Sequence, residues 1–259
     1  MSSTKPIGIF DSGIGGTSIW KEIHQLLPYE NTIYLADSKN APYGQKSKEE
    51  IIALSSKNTE FLLNQNCKMI IVACNTATTN AIKELRTKYD VPFIGIEPAI
   101  KPAANQTKTE TIGILATKGT LNSELFNRAV ETYSNIKIVE QVGFGLVQLI
   151  EEGKMESEEM TTLLNSYLNP MIEANIDYLV LGCTHYPYLI PQIKKIIPNH
   201  IKIIDSGEAV AKQTKKVLEK NNLLNLYEQK SKQIFYTNSD SKVLKQILGF
   251  SENVYEKEF

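Results

Sequence analysis

An α/β fold of two pseudo-symmetric domains, each a mainly parallel sheet flanked by helices with an active site in the cleft between them, is predicted by three features. Short apolar runs alternate along the whole chain with segments of helical spacing, the pattern of sheets covered by helices on both faces. The segment IGIFDSG at residues 7–13 returns as IGILATKG at residues 112–119, an offset of 105 residues. VACNTATTNAI at residues 72–82 and LVLGCTHYPYL at residues 179–189 place Cys74 and Cys183 at an offset of 109 residues. Two pairs of segments at nearly one offset point to duplicated halves.

The chain of 259 residues is long enough for two modest domains with their own cores. Residues 1–97 together with 207–259 form the expected first domain and residues 98–206 the second, the boundary falling near Pro98 and Pro102. With 28 basic and 29 acidic residues the net charge is −1, which argues against a nucleic-acid surface. The two arginines, Arg86 and Arg128, lie in helical patterns away from both cysteine motifs. An anionic substrate would therefore be held by hydroxyls, amides and helix ends rather than a guanidinium fork. The N-terminus lacks the basic start and apolar stretch of an export signal, and no apolar run approaches the roughly 20 residues that cross a membrane. A soluble cytoplasmic protein with three free cysteines is expected.

In chain order, the first strand is expected at residues 7–10, ending at Asp11 and Ser12. The glycines that follow, Gly13, Gly15 and Gly16, open a helix and form a cradle whose backbone N–H groups can approach a carboxylate or phosphate. Ser18 breaks the G-x-G-x-x-G spacing and no Walker lysine follows, so the segment matches neither nucleotide motif. Asp11 reads either as a helix cap or as a carboxylate that orients or deprotonates a thiol. A strand at 32–36 leads into ADSKNAPYGQKS, where a Pro-Tyr-Gly turn offers the amides of Tyr43 and Gly44 to a ligand. Ile51, Leu54, Phe61 and Leu62 mark the next helix face.

The strand at 69–73 delivers Cys74 to the start of a helix beginning Asn75 and Thr76. The positive helix end and free N–H groups there should lower a thiol pKa from about 8.5. A strand at 93–96 closes the first run, and strands at 111–116 and 136–140 open the second. Leu163, Leu164, Tyr167 and Met171 mark a helix before the strand at 178–182, which delivers Cys183, Thr184 and His185 in the same manner as Cys74. Strands at 201–204 and 233–236 complete the set. Cys67 has no such context and reads as a buried small residue, while His24 and His200 read as surface or boundary residues. A reducing compartment disfavours a disulfide between Cys74 and Cys183, and the spacing matches no zinc site.

Two thiols brought by one device from two halves suit a reaction that needs a base and an acid on opposite faces of one carbon. A thiol titrating near neutrality can serve in both capacities.

Taken together, IGIFDSGIGG, APYGQKS, ACNTAT, GIEP and LGCTHYP resemble, in order, the segments of the glutamate racemase family, within the wider cofactor-independent aspartate/glutamate racemase superfamily. The resemblance implies interconversion of L- and D-glutamate without pyridoxal phosphate or metal, supplying D-glutamate for peptidoglycan. It implies that Cys74 and Cys183 exchange the α-proton, with Asp11 beside the first and His185 beside the second. A family pattern L-V-x-L-x-E-x-G falls on Leu146 to Gly153 and selects Glu151 over Glu152 as a third helper. Substrate contacts implied are Asp11, Ser12, Tyr43, Gly44, Asn75, Thr76, Thr184 and His185, with Thr117 as the repeat partner of Ser12. By the same resemblance Cys74 takes the proton of D-glutamate, and a homodimer is the expected assembly. Asn40 stands where many family members carry an arginine, and Ala-Thr-Thr replaces the common Ala-Ser-Ala after Cys74. Two other readings compete. A sister isomerase acting on aspartate, a hydantoin or maleate would keep the thiols and change the substrate loops. A binding protein that only clamps an amino acid would need no pair of thiols.

Overall fold

In a computed structural model that describes residues 3–259, the apolar runs pair into two separate sheets in which all the pairings are parallel. The strands are β1 (Ile7–Asp11), β2 (Thr32–Ala36), β3 (Met69–Val72), β4 (Phe93–Gly95), β5 (Thr111–Ala116), β6 (Lys137–Val142), β7 (Tyr178–Gly182), β8 (Lys202–Ile204), β9 (Gln233–Thr237) and β10 (Val254–Glu256). One sheet runs β10-β9-β2-β1-β3-β4 and the other β6-β5-β7-β8. The order β2-β1-β3-β4 is thus repeated by β6-β5-β7-β8, so β1 corresponds to β5 and β3 to β7. This is the structural form of the sequence repeat. Strand ends differ from expectation by one or two residues, and β10 is unexpected: a three-residue edge strand with two exposed positions.

Helices occupy the connections in the manner that parallel crossovers require. They are α1 (Thr17–Leu26), α2 (Lys48–Asn64), α3 (Asn75–Lys88), α4 (Ile100–Gln106), α5 (Lys118–Leu121), α6 (Glu124–Glu131), α7 (Leu146–Glu151), α8 (Glu158–Glu173), α9 (Ile190–Ile196), α10 (Gly207–Lys220) and α11 (Lys242–Leu248). Central strands are buried on both faces and therefore read as unbroken apolar runs, as in IGIF of β1 and MIIV of β3. Edge strand β6 has no buried position, which is why KIVEQV mixes charge with apolar residues.

One buried cluster spans both sheets, and each sheet packs a second cluster of its own. Ile7, Ile9 and Tyr34 of the first sheet belong to the same cluster as Leu179 and Leu181 of the second. Helix α1 contributes Ile19, Trp20 and Ile23 and packs on α10, whose buried side carries Val210, Ala211 and Leu218. The return of the chain after α10 is held by a buried ion pair. Lys68 Nζ lies 2.6 Å from Glu30 Oε2 and donates to the Leu223 carbonyl, while the Asn225 amide donates to Glu30 Oε1. Among the described residues no helix is long and apolar enough to cross a membrane.

Candidate active site

The carboxyl ends of β1, β2, β3, β5 and β7 converge between the sheets, where open parallel sheets hold their ligands. They enclose a narrow cavity lined on one side by Ser12, Tyr43, Gly44, Cys74, Asn75 and Thr76. Thr117, Cys183, Thr184 and His185 line the other side. Ten of the twelve residues singled out from the sequence therefore face one space. Asp11 and Glu151 lie immediately behind it, bonded to lining residues. Pro42 and Val147 also line the cavity; the sequence shows them only as parts of the Pro-Tyr-Gly turn and of the pattern that carries Glu151, not as site residues.

Cys74 is the N-cap of α3, and its Sγ accepts the Ala77 amide at 3.4 Å. That amide and the Ser12 hydroxyl favour a thiolate, as expected of a helix end. Burial and the negative charge of Asp11 outweigh them, however, and the Cys74 thiol is pushed up rather than down. With the cavity closed, Cys74 holds its proton.

Cys183 sits in a different setting. A four-residue 3-10 turn, Tyr186–Leu189, follows it before α9, so the helix-end argument made for Cys74 does not transfer. Its partner is His185, whose Nδ1 lies 3.8 Å from the sulfur. Nε2 of the same ring is 2.6 Å from Glu151 Oε1. Burial alone would lower the imidazole, but bonds to Cys183 and Glu151 and the charge of Asp11 outweigh it and hold His185 well above the usual histidine range. The Gly15 amide also lies 3.2 Å from Nε2. It can donate there only to an unprotonated ring, and the shorter contact to a carboxylate fixes Nε2 as a donor.

Asp11, expected beside Cys74, makes its hydrogen bonds elsewhere. Its Oδ2 accepts the Gly13 and Gly16 amides at 3.2 and 3.0 Å, and Oδ1 accepts the Thr184 hydroxyl at 3.1 Å. It reaches Cys74 through its charge. Complete burial pushes its own carboxyl up, the imidazolium of His185 and the two amides opposing. The glycine cradle is therefore occupied by the protein's own carboxylates: Glu151 Oε1 takes the Ile14 amide at 2.7 Å, and Asp11 takes Gly13 and Gly16. A Cβ on Gly13 would fall 1.9 Å from Glu151 Oε1 and one on Gly15 2.2 Å from His185 Nδ1, so both positions need glycine. Glu152 points away, exposed and paired with Lys154.

The remaining groups offer polar atoms without charge. Asn75 is buried, and neither atom of its side-chain amide has a hydrogen-bond partner among the described residues. Thr76 and Thr117 join hydroxyls at 2.8 Å across the two halves. Gly44 packs so closely on Thr117 that a Cβ would approach its Cβ to 2.8 Å. Tyr43 is fixed from below, donating its hydroxyl to Asp37, a buried carboxylate that also accepts Asn40 at 2.7 Å and Asn238 at 2.5 Å. Asn40 thus anchors this loop with a neutral amide.

Residues 7–214 match the Asp/Glu/Hydantoin racemase family. The chain is 45% identical over 222 residues to a glutamate racemase of Herpetosiphon aurantiacus, covering 85% of this chain and 87% of that protein. The crystal structure of Escherichia coli glutamate racemase in complex with L-glutamate and the activator UDP-MurNAc-Ala superposes with a TM-score of 0.86 at 30% identity, covering 98% of both chains. Glutamate racemase from Francisella tularensis in complex with D-glutamate gives 0.85 at 30% identity, again over 98% of both.

Proposed function

Because the chain belongs to the Asp/Glu/Hydantoin racemase family and interconverts L- and D-glutamate, we propose that the exchange runs through two thiols, Cys74 and Cys183, on opposite faces of the α-carbon. The observation that carries this is the placement of the two sulfurs, at equivalent strand ends of two like-ordered sheets, on one closed cavity. One sulfur removes the α-proton as a thiolate. The electron pair passes to the adjoining carboxylate, and the other thiol gives its proton to the opposite face.

The two sulfurs sit in different settings. Cys183, with the imidazolium of His185 held by Glu151 beside it, takes the part of the base, while Cys74 keeps its proton and acts as the acid. By family resemblance that form receives L-glutamate, and D-glutamate requires the reverse assignment. A bound α-ammonium group brings a positive charge that favours the Cys74 thiolate when that assignment is needed. The substrate carboxylates meet the hydroxyls of Ser12, Thr76, Thr117 and Thr184, the unpartnered amide of Asn75 and the backbone at Tyr43 and Gly44. These fixed dipoles, on buried side chains that line the cavity, stabilise the charge that develops on the carboxylate.

The same proposal includes a division into residues 1–97 with 207–259 and residues 98–206, supported by the two sheets. It includes a cytoplasmic location, in keeping with three unpaired cysteines, and supply of D-glutamate for peptidoglycan. A homodimer, expected from the resemblance, is checked by the mass in solution. The test of substrate is optical rotation of D- and L-glutamate and of D- and L-aspartate with the purified protein. Turnover of glutamate in both directions with aspartate left unchanged is expected, and preferred turnover of aspartate would overturn the assignment.

A further inference from the structure

We infer that Ser38 is a positioning residue for proton transfer at Cys183, acting through the Glu151 carboxylate. Ser38 opens the short turn Ser38–Asn40 after β2, in the first half of the molecule, whereas Glu151 ends α7 in the second. The Ser38 hydroxyl donates to Glu151 Oε2 at 2.7 Å. The other oxygen, Oε1, takes the Ile14 amide at 2.7 Å and His185 Nε2 at 2.6 Å. A carboxylate on a flexible stem is thereby fixed at both oxygens, one by the serine and one by a backbone amide, with Oε1 held against the imidazole.

Ser38 is itself rigidly placed. Asp37, its neighbour, is fully buried and gripped by Tyr43, Asn40 and Asn238, and the Lys39 amide donates to Asn238 Oδ1 at 3.0 Å. The turn that offers substrate contacts at Tyr43 and Gly44 and the turn that orients Glu151 are thus one anchored segment. Seating of this segment sets the substrate-facing groups and the Glu151–His185–Cys183 line together.

The inference rests on the role given to Glu151 in the proposed function, and the test separates the two. Ser38→Ala, Ser38→Thr, Glu151→Gln and the double variant Ser38→Ala/Glu151→Gln are compared by kcat/KM for glutamate across pH. Ser38→Ala is expected to lower kcat/KM about tenfold, the scale of a hydrogen bond to a charged group, and to move the alkaline limb of the profile to lower pH because a loosened Glu151 holds the imidazolium less well. Ser38→Thr restores both, and the double variant is no slower than Glu151→Gln alone. Wild-type rate and profile for Ser38→Ala beside an impaired Glu151→Gln would overturn the role of Ser38 alone. So would fully multiplicative losses in the double variant. Wild-type behaviour of Glu151→Gln would overturn the reading of Glu151 on which the inference stands.

Discussion

The Nε2 of His185 lies 2.6 Å from Glu151 Oε1, and this contact joins residues 34 positions apart into the charged side of an otherwise neutral cavity. It gives Cys183 a cationic neighbour that Cys74 lacks. The asymmetry of two thiols carried by equivalent strands follows from it. Replacing His185 by Asn keeps a neutral hydrogen-bonding amide near Cys183 in a smaller side chain and removes the titratable ring. A loss in kcat/KM of about a hundredfold is expected, together with loss of the alkaline limb of the pH profile. Steady-state assays from pH 6 to 10 check both.

Stability should fall as the solution becomes alkaline. His185 has a raised pKa in the folded state, so above about 6.5 the folded protein binds a proton that the unfolded chain has released. Its contribution is complete below that pH and is lost as pH rises through the folded value. Cys74 and Cys67 act in the same sense above about 8.5, both being pushed up by burial, Cys67 to about 12. Thermal melts should therefore show a falling midpoint from neutral pH upward, with a shallower first part in His185→Asn.

Gly13→Ala should damage activity far more than stability. The new Cβ would fall within 2.5 Å of the Glu151 carboxyl carbon, and the end of that side chain can move where backbone cannot. The expected result is a drop in kcat/KM of about a hundredfold, in the range of general acid–base loss, with a melting temperature within a few degrees of wild type. Gly249→Ala is the contrast: its φ is +77° with no atom within 4 Å, so strain of about 1 kcal/mol is expected with activity unchanged.

Tyr43→Phe removes the donor that caps the buried Asp37 carboxylate. Leaving that group short of a partner should cost about 1–3 kcal/mol, lowering the melting temperature by several degrees. The loop bearing Gly44 would also lose its anchor, so KM for glutamate should rise more than kcat falls. Calorimetry and steady-state kinetics separate the two effects.

Much of this was legible in the sequence because central parallel strands must be apolar throughout and their ends carry the site. Hence Cys74, Cys183 and their flanking hydroxyls stand out as motifs. What stayed hidden depends on contacts between the halves, which no local pattern encodes. The bond from Asp11 to Thr184 spans 173 residues, and that from Ser38 to Glu151 spans 113. The direction of the Cys74 shift was hidden for a related reason. A helix end can be read from sequence, whereas the burial that overrides it comes from tertiary packing, which sets Cys74 in one cluster with Phe10, Tyr43 and Ala77. Strand β10 escaped notice because three residues, two of them exposed, carry no period of their own.

The central claim is that two thiols act on opposite faces, and proton exchange in deuterated water tests it most directly. Wild type, Cys74→Ser and Cys183→Ser are incubated separately with D- and L-glutamate, and racemisation and α-deuterium incorporation are followed by optical rotation and proton NMR. The wild type should racemise and exchange both enantiomers. Each serine variant should lose racemisation by at least about a hundredfold. Residual exchange should favour L-glutamate in Cys74→Ser and D-glutamate in Cys183→Ser. Full racemisation in both variants, or exchange surviving on the same enantiomer in both, would contradict the account.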